Sequence, residues 1–355
     1  MGKGCELLLS LFCGAGGLDL GFEEAGFEVG LAFDKKRDSV NSYNRNRTGP
    51  DKSHCRDIRG IGLAELDLLW GGPFRPIGVV GGPPCQSFSQ ANRNATDDDP
   101  RHTLPLVYAN LLKALNDRSP IKFFAMENVP GLSSSSHLHR LEELEAALEG
   151  AGFVVTRTIL DARDFQTPQK RERLFLVGLN RDLFGDVAWT PPERTTKVGE
   201  DLTVASAIGG LPEPFFFEKG AIPSRFPKHP NHWCMNPKSK KFTTEGALKP
   251  GDGRNRSFKT LAWDRPSPTV AYGNREVHVH PSGTRRLSVF EAMRLQGFPD
   301  KYELSGTLSS QIAQVSEAVP PPMAHAIALS ILAVIEPPVN PPKTSQSLTD
   351  IGLCG

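Results

Sequence analysis

The sequence predicts an α/β protein built on an open parallel sheet, with a second, smaller and loop-rich module in the later part of the chain. Three observations carry this. An apolar run at 7–12 turns through Cys13-Gly14-Ala15-Gly16-Gly17 into a helical pattern at 18–25, a strand, glycine turn and helix that let backbone approach a negative ligand. A β-rich run at 76–80 stops at Gly81-Gly82-Pro83-Pro84-Cys85-Gln86-Ser87-Phe88-Ser89, so a loop stiffened by two prolines leaves the carboxyl end of a buried strand. From Trp189 the texture changes to a proline-rich stretch with little helical period.

With 355 residues the chain can bury one large core or two unequal ones. Its longest apolar stretch, 323–335, is interrupted by His325 and Ser330 and is too short to cross a bilayer, so a buried helix is expected there, packed back on the first module. The start, Met1-Gly2-Lys3-Gly4-Cys5-Glu6, has no signal pattern. Six scattered cysteines (Cys5, Cys13, Cys55, Cys85, Cys234, Cys354) form no Cys-x-x-Cys and no Cys/His ligand spacing, which points to a reducing cytoplasm and to no metal.

In chain order, a strand at 29–33 ends on Asp34, placed to accept from ribose hydroxyls. Asp57, in Arg56-Asp57-Ile58, closes a third segment and is placed to accept from an adenine amino group. Both aspartates serve equally well as helix N-caps. Cys85 stands where open α/β sheets put their chemistry and where a nucleophile is wanted, the alternative being a small buried hydrophobe. An amphipathic helix at 104–115 follows Asp97-Asp98-Asp99-Pro100-Arg101. A strand at 123–126 then leads into Glu127-Asn128-Val129-Pro130, where burial would keep a carboxyl protonated for acid work or a salt bridge would occupy it. The helix at 138–148 lines up leucines 138, 141, 144 and 148, while His137 and His139, two apart, share no face. Strands are expected at 153–160 and 174–179. Between them, period-two alternation sets Gln169, Arg171 and Arg173 on one side, three donors for a carbonyl, phosphate or carboxylate, or else a solvated edge.

The second module holds Phe215-Phe216-Phe217 and prolines at 212, 214, 223, 227, 230 and 237. Between Lys219 and Arg286 there are fourteen Lys/Arg against four Asp/Glu, a local excess of +10 in a chain of net charge +1, so the remainder carries −9. Such a segment is an electrostatic footprint for nucleic acid, or a solvated surface. A strand at 277–280, a helix at 288–296 halted by Gly297-Phe298-Pro299, and the apolar helix complete the chain.

Six motifs in this order resemble those of the bacterial-type DNA (cytosine-5) methyltransferase family: Phe12-x-Gly14-x-Gly16-Gly17, Gly82-Pro83-Pro84-Cys85, Glu127-Asn128-Val129, Gln169-x-Arg171-x-Arg173, Arg265-Pro266-x-Pro268-Thr269 and Arg294-Leu295-Gln296-Gly297-Phe298-Pro299. They cover 9–335. The resemblance implies a Rossmann-like, mostly parallel seven-stranded methyltransferase sheet at 1–188, a target-recognition domain at 189–287, a hinge at 288–316, a helix returning to the sheet at 317–336 and a disordered tail at 337–355. It implies S-adenosylmethionine as cofactor, held by Phe12, Gly14, Ala15, Gly16, Gly17, Asp34 (ribose), Asp57 (adenine), Ile58, Pro84 and Leu104. Catalysis would rest on Cys85 as nucleophile, Glu127 at nitrogen 3 of the base, and Arg171 and Arg173 in support. Double-stranded DNA would be bound by a cytoplasmic monomer, paired with a restriction enzyme or another defence component. The sequence departs from the family at Asp34, where Glu is usual, and at Ser316-Glu317-Ala318-Val319, where Gly-Asn-Ala-Val is usual; Glu317 is expected to face the cofactor's ammonium or solvent. A transfer-RNA cytosine-5 methyltransferase, a silent DNA-binding module and a nicotinamide dehydrogenase are the rival readings, and the last leaves Cys85, Glu127 and the basic segment without a task.

Overall fold

Alternation in short apolar strands sends successive side chains to opposite faces of a sheet, and here both faces are covered. The computed structural model describes residues 6–84, 103–251, 258–269 and 277–336. Cys85 with the rest of its loop, the three consecutive aspartates at 97–99 and the tail at 337–355 lie outside the described residues. The strands of the first half are β1 (Leu7–Leu11), β2 (Glu28–Asp34), β3 (Ser53–Cys55), β4 (Gly78–Gly81), β5 (Phe123–Asn128), β6 (Phe153–Asp161), β7 (Gln169–Lys170) and β8 (Glu172–Asn180). All but β7 join one seven-stranded sheet of order β3-β2-β1-β4-β5-β8-β6, in which only β8 runs against its neighbours. The expected α/β, mostly parallel seven-stranded sheet is what the chain forms.

The first helices are α1 (Gly17–Glu24), α2 (Arg37–Arg45), α3 (Leu63–Trp70), α4 (Leu104–Arg118) and α5 (Leu138–Gly150). Leu9, Val79 and Phe124 point to the face covered by α4 and α5, where Leu112, Leu141 and Leu144 meet them. Leu8, Val80 and Phe123, one residue out of phase, point to the other face. That face is covered by α1 and by the apolar helix at the far end of the chain, whose Met323, Ile327 and Ile331 are fully buried. Burying side chains of this size contributes roughly 1.5–3 kcal/mol each, enough to hold the end of the chain on its beginning.

The remaining helices among the described residues are α6 (Arg181–Phe184), α7 (Val204–Ile208), α8 (Val289–Leu295), α9 (Leu308–Glu317) and α10 (Pro321–Ile335). Leu308–Ile335 is long and apolar enough to cross a membrane by composition. It breaks at 318–320 into α9 and α10, however, and α10 is a core helix.

The stretch 189–287 is loop-rich, with five strands of two or three residues among its described residues: β9 (Phe215–Phe216), β10 (Trp233–Cys234), β11 (Phe258–Thr260), β12 (Ser267–Pro268) and β13 (Val277–Val279). Residues 288–316, expected as a hinge, hold α8 and most of α9. Their Val289, Met293 and Leu308 pack in one cluster with Val204, Phe226, Trp233 and Leu261 of that stretch. β12 pairs with β7, Ser267 opposite Gln169, and Thr269 Oγ1 donates to the Lys170 carbonyl at 2.8 Å. Two of the six motifs thus meet in space.

Candidate active site

Strand order reverses between β1 and β4, and in open sheets the crevice beyond the carboxyl ends at such a point receives the ligand. Register makes this specific. Leu11 stands beside Phe33 on one side and Gly81 on the other, and Gly81 beside Met126. One step further along each strand come Asp34, Phe12, Gly82 and Glu127, so four residues far apart in sequence form a row. They line a cavity of about 640 Å³.

The glycine turn after β1 adopts left-handed backbone at Phe12 (φ 57°), Gly14 (φ 55°) and Gly16 (φ 87°), a conformation that costs Phe12 strain which the glycines avoid. Strain of this kind gathers at ligand sites. Gly14 N–H donates to Asp34 Oδ2 at 3.0 Å, and Lys36 N–H to Oδ1 at 2.7 Å, so two amides fix the Asp34 carboxylate at the cavity edge. Burial nevertheless pushes the Asp34 carboxyl above its ordinary value, outweighing those amides and Lys36. Asp57 is the N-cap that the sequence allows, and it also stands on the cavity wall. Its Oδ1 accepts from Arg59 N–H at 3.1 Å, capping the turn Ile58–Gly60, and it lines the cavity. Hydrogen bonds from Arg59 and Lys35 hold its carboxyl well below the usual range.

Of the ten residues expected to hold a cofactor, nine line the cavity: Phe12, Gly14, Ala15, Gly17, Asp34, Asp57, Ile58, Pro84 and Leu104. Gly16 does not. It serves instead as the N-cap of α1, its amide donating to the Cys13 carbonyl at 2.9 Å. This set fits an adenosine-containing ligand, with apolar walls at Ile58 and Leu104 and fixed carboxylates at the ends of neighbouring strands.

At the other end of the cavity Glu127 pairs with Arg173, Oε1 to Nε 2.9 Å, each side chain 13% exposed. Burial raises the Glu127 carboxyl above its usual range, and Arg173 and Arg171 oppose the rise without cancelling it. Burial also lowers Arg173, but a guanidinium starts so high that it stays charged. A methyl group at Gly82 would lie 2.8 Å from Glu127 Oε2, so only glycine leaves the carboxyl its place. Arg171 is fully buried and does not line the cavity. Its Nη2 donates to the Ser316 carbonyl at 2.9 Å, while Nε and Nη1 find no partner among the described residues. Cys85 lies outside the described residues, one position beyond the cavity-lining Pro84.

Several cavity residues were not expected. Asn128 is buried, and its amide reaches the Pro83 carbonyl at 3.5 Å, tying the end of β5 to the Pro-Pro loop. It stands in one of the six motifs, so its place was available as a signal. Asp19, buried in the first turn of α1, accepts from Ser10 Oγ at 2.8 Å. Lys36 also lines the cavity, where it meets Glu317, a residue expected near the cofactor's ammonium or in solvent; nothing in either local sequence announces the pairing.

Comparisons with known proteins give the family. The family model described as C-5 cytosine-specific DNA methylase matches residues 7–333. The Type II methyltransferase M.MthTI of Methanothermobacter thermautotrophicus is 32% identical over 349 residues, covering 94% of this chain and 99% of that protein. M.NgoPII of Neisseria gonorrhoeae, also a Type II methyltransferase, is 32% identical over 354 residues, 93% of this chain and 96% of that one. Among solved structures, a DNA modification methyltransferase encoded within a prophage (E. coli) superposes with a TM-score of 0.74 at 22% identity, covering 93% of this chain and 99% of that one. The matched span runs from β1 to near the end of α10, and the chain belongs to the family of C-5 cytosine-specific DNA methylases, which are S-adenosylmethionine-dependent enzymes.

Proposed function

We propose that this chain methylates carbon 5 of a cytosine flipped out of a short double-stranded DNA site, as the modification half of a restriction-modification or related defence system. One observation carries the catalytic part: a buried carboxyl at Glu127, raised above its usual range and paired with Arg173, faces the cavity that Pro84 also lines. The modification role is supported by the Type II methyltransferases to which the chain is similar.

Bound S-adenosylmethionine would supply an electrophilic methyl group. Phe12, the glycine turn, Asp34, Asp57, Ile58 and Leu104 would bind and orient it. Carbon 5 of cytosine is too weak a nucleophile unless its ring is temporarily saturated. The Cys85 thiolate therefore adds to carbon 6 while Glu127 gives a proton to nitrogen 3. Once carbon 5 carries the methyl, Glu127 takes the nitrogen 3 proton back, a base removes the carbon 5 proton, and the bond from carbon 6 to the Cys85 sulfur breaks to restore the ring. A base in a stacked duplex offers no access to carbon 6, hence the flipping. Arg173, on β8, fixes the Glu127 carboxyl, and Arg171, between β7 and β8, ties that segment to the Ser316 carbonyl. A thiol of pKa about 8.5 is roughly 3% ionised at neutral pH, so full ionisation gains only about thirtyfold, or ~2 kcal/mol. Correct placement can supply roughly 7–11 kcal/mol, and the Pro83-Pro84 loop should matter more than thiol acidity. Residues 189–287 would form the target-recognition domain, with the basic segment on the phosphates and major-groove base edges read from there.

The test is trapping. Fluorine at carbon 5 cannot leave as a cation, so a duplex with 5-fluorocytosine in the recognised site should stay joined to the protein through denaturation, provided S-adenosylmethionine is present. Bisulfite sequencing of DNA from an expressing host supplies that site. Cys85→Ser should abolish the adduct, and Glu127→Gln should slow its formation by roughly 10²–10⁴. Trapping that survives Cys85→Ser would sink the assignment of the nucleophile.

A further inference from the structure

Two charged side chains on the cavity wall are engaged with each other and not with the chemistry above. Lys36 Nζ lies 2.6 Å and 2.5 Å from the two carboxylate oxygens of Glu317. Both side chains are about half exposed, 51% and 48%. An ion pair so exposed does little for stability, which leaves its purpose open.

Its position supplies one. The partners are 281 residues apart, and each sits on an anchored segment. The Lys36 amide is one of the two that fix Asp34. On the other side, the carbonyls flanking Glu317 are both held: Ser316 by Arg171 at 2.9 Å and Ala318 by the Gln296 amide at 2.5 Å. The pair therefore joins the loop after β2 to the end of α9 across the cavity rim, beside Asp34. A carboxylate at 317 standing alone would repel that of Asp34, and the Glu317 charge does push the Asp34 carboxyl up while Lys36 pulls it down.

We propose that Lys36 and Glu317 are positioning residues that act only as a matched pair, holding the end of α9 on the loop after β2 and keeping a second carboxylate from crowding Asp34. The glutamate at 317 is then tolerated because a lysine stands at 36. This rests on the reading of the cavity as a cofactor site, and a wild-type protein that bound no S-adenosylhomocysteine would overturn that reading first.

The experiment is titration calorimetry with S-adenosylhomocysteine on the wild type, Lys36→Glu, Glu317→Lys and the double reversal, with thermal unfolding of the ligand-free proteins alongside. Each single reversal should weaken binding by about tenfold or more, since contacting charges couple strongly. The double reversal should return to within about threefold of wild type, and all four should unfold at nearly the same temperature. A double reversal as weak as the weaker single variant, or single reversals that bind like wild type, would overturn the pairing. If a reversal does not fold, Lys36→Met and Lys36→Arg decide. The first should lose about fivefold and the second should keep its affinity; equal binding by both would overturn the proposal.

Discussion

At the scale of single residues, Asp19 shows how a carboxyl can be both present and costly. It is fully buried, with one oxygen on Ser10 and the other without a hydrogen-bond partner among the described residues, and burial pushes it from 3.8 up to about 6 despite Arg47 and the Ser10 hydroxyl. The folded state thus keeps a proton that the unfolded state releases. Stability from this group is fully present below about pH 4 and is lost as pH rises to about 6, the climb corresponding to about 3 kcal/mol. Asp19→Asn keeps an acceptor for Ser10 and removes the ionisation. Its advantage in urea midpoint over wild type should grow between about pH 4 and 6 and stay level above; an advantage that does not change with pH would mean Asp19 ionises like an exposed acid. Asp34, Asp57 and Glu127 were legible because strand ends are where open sheets place ligand-facing acids. Lys36 and its pairing with Glu317 were not, because an ion pair spanning most of the chain leaves no trace in either local sequence.

At the scale of elements, α1 and α10 touch through glycine. A methyl group at Gly21 would lie 2.4 Å from the His325 nitrogen, 2.5 Å from Ala324 Cβ and 2.6 Å from the Pro321 carbonyl oxygen. Gly21→Ala gains up to about 1 kcal/mol in helix propensity, whereas forcing packed backbone apart costs about 1–3 kcal/mol or more, so the clash wins. The variant should lose about 1–2 kcal/mol in chemical denaturation. Because 317–319 line the cavity just ahead of α10, it should also bind S-adenosylhomocysteine more weakly. Unchanged stability would mean that α10 has room to retreat. The apolar period found α4, α5, α8 and α10 within a few residues of their ends, since each buries leucine, isoleucine or methionine. It missed α2 and α9 for a physical reason. The buried face of α2 includes Ser39 and Ser42, and that of α9 includes Gln311 and Gln314. Ser42 Oγ of α2 donates to Gln314 Oε1 of α9 at 2.6 Å, and Gln314 Nε2 donates to the carbonyl of Ser305 in the loop before α9 at 3.0 Å, contacts that no hydrophobic pattern reports. The same polar seam carries Glu317, the last residue of α9, to the cavity rim.

At the scale of the whole molecule, charge is sorted by region. The +10 excess of 219–286 in a chain of net charge +1 concentrates cations in one part of the loop-rich stretch, while the compensating −9 is spread over the rest of the chain. Lys238, Lys240 and Lys241 are exposed around the turn Lys240–Phe242. That turn is held rather than free: Ser239 Oγ accepts from the Lys241 amide at 3.3 Å, and buried Phe242 packs edge-on to Phe258. Cations on a fixed turn can each meet a phosphate with little ordering cost. If the protein makes about 6–10 phosphate contacts, its DNA affinity should fall by about 10³–10⁵ between 50 and 200 mM salt. Replacing the three lysines by glutamine should lower the magnitude of the log affinity against log salt slope by about 3, roughly 0.9 for each phosphate no longer neutralised, at a constant DNA sequence. S-adenosylhomocysteine affinity, read on the same preparations, should not change, because none of the three lines the cavity. A slope equal to that of the wild type would move the phosphate footprint off this turn and onto the remaining basic residues of the stretch.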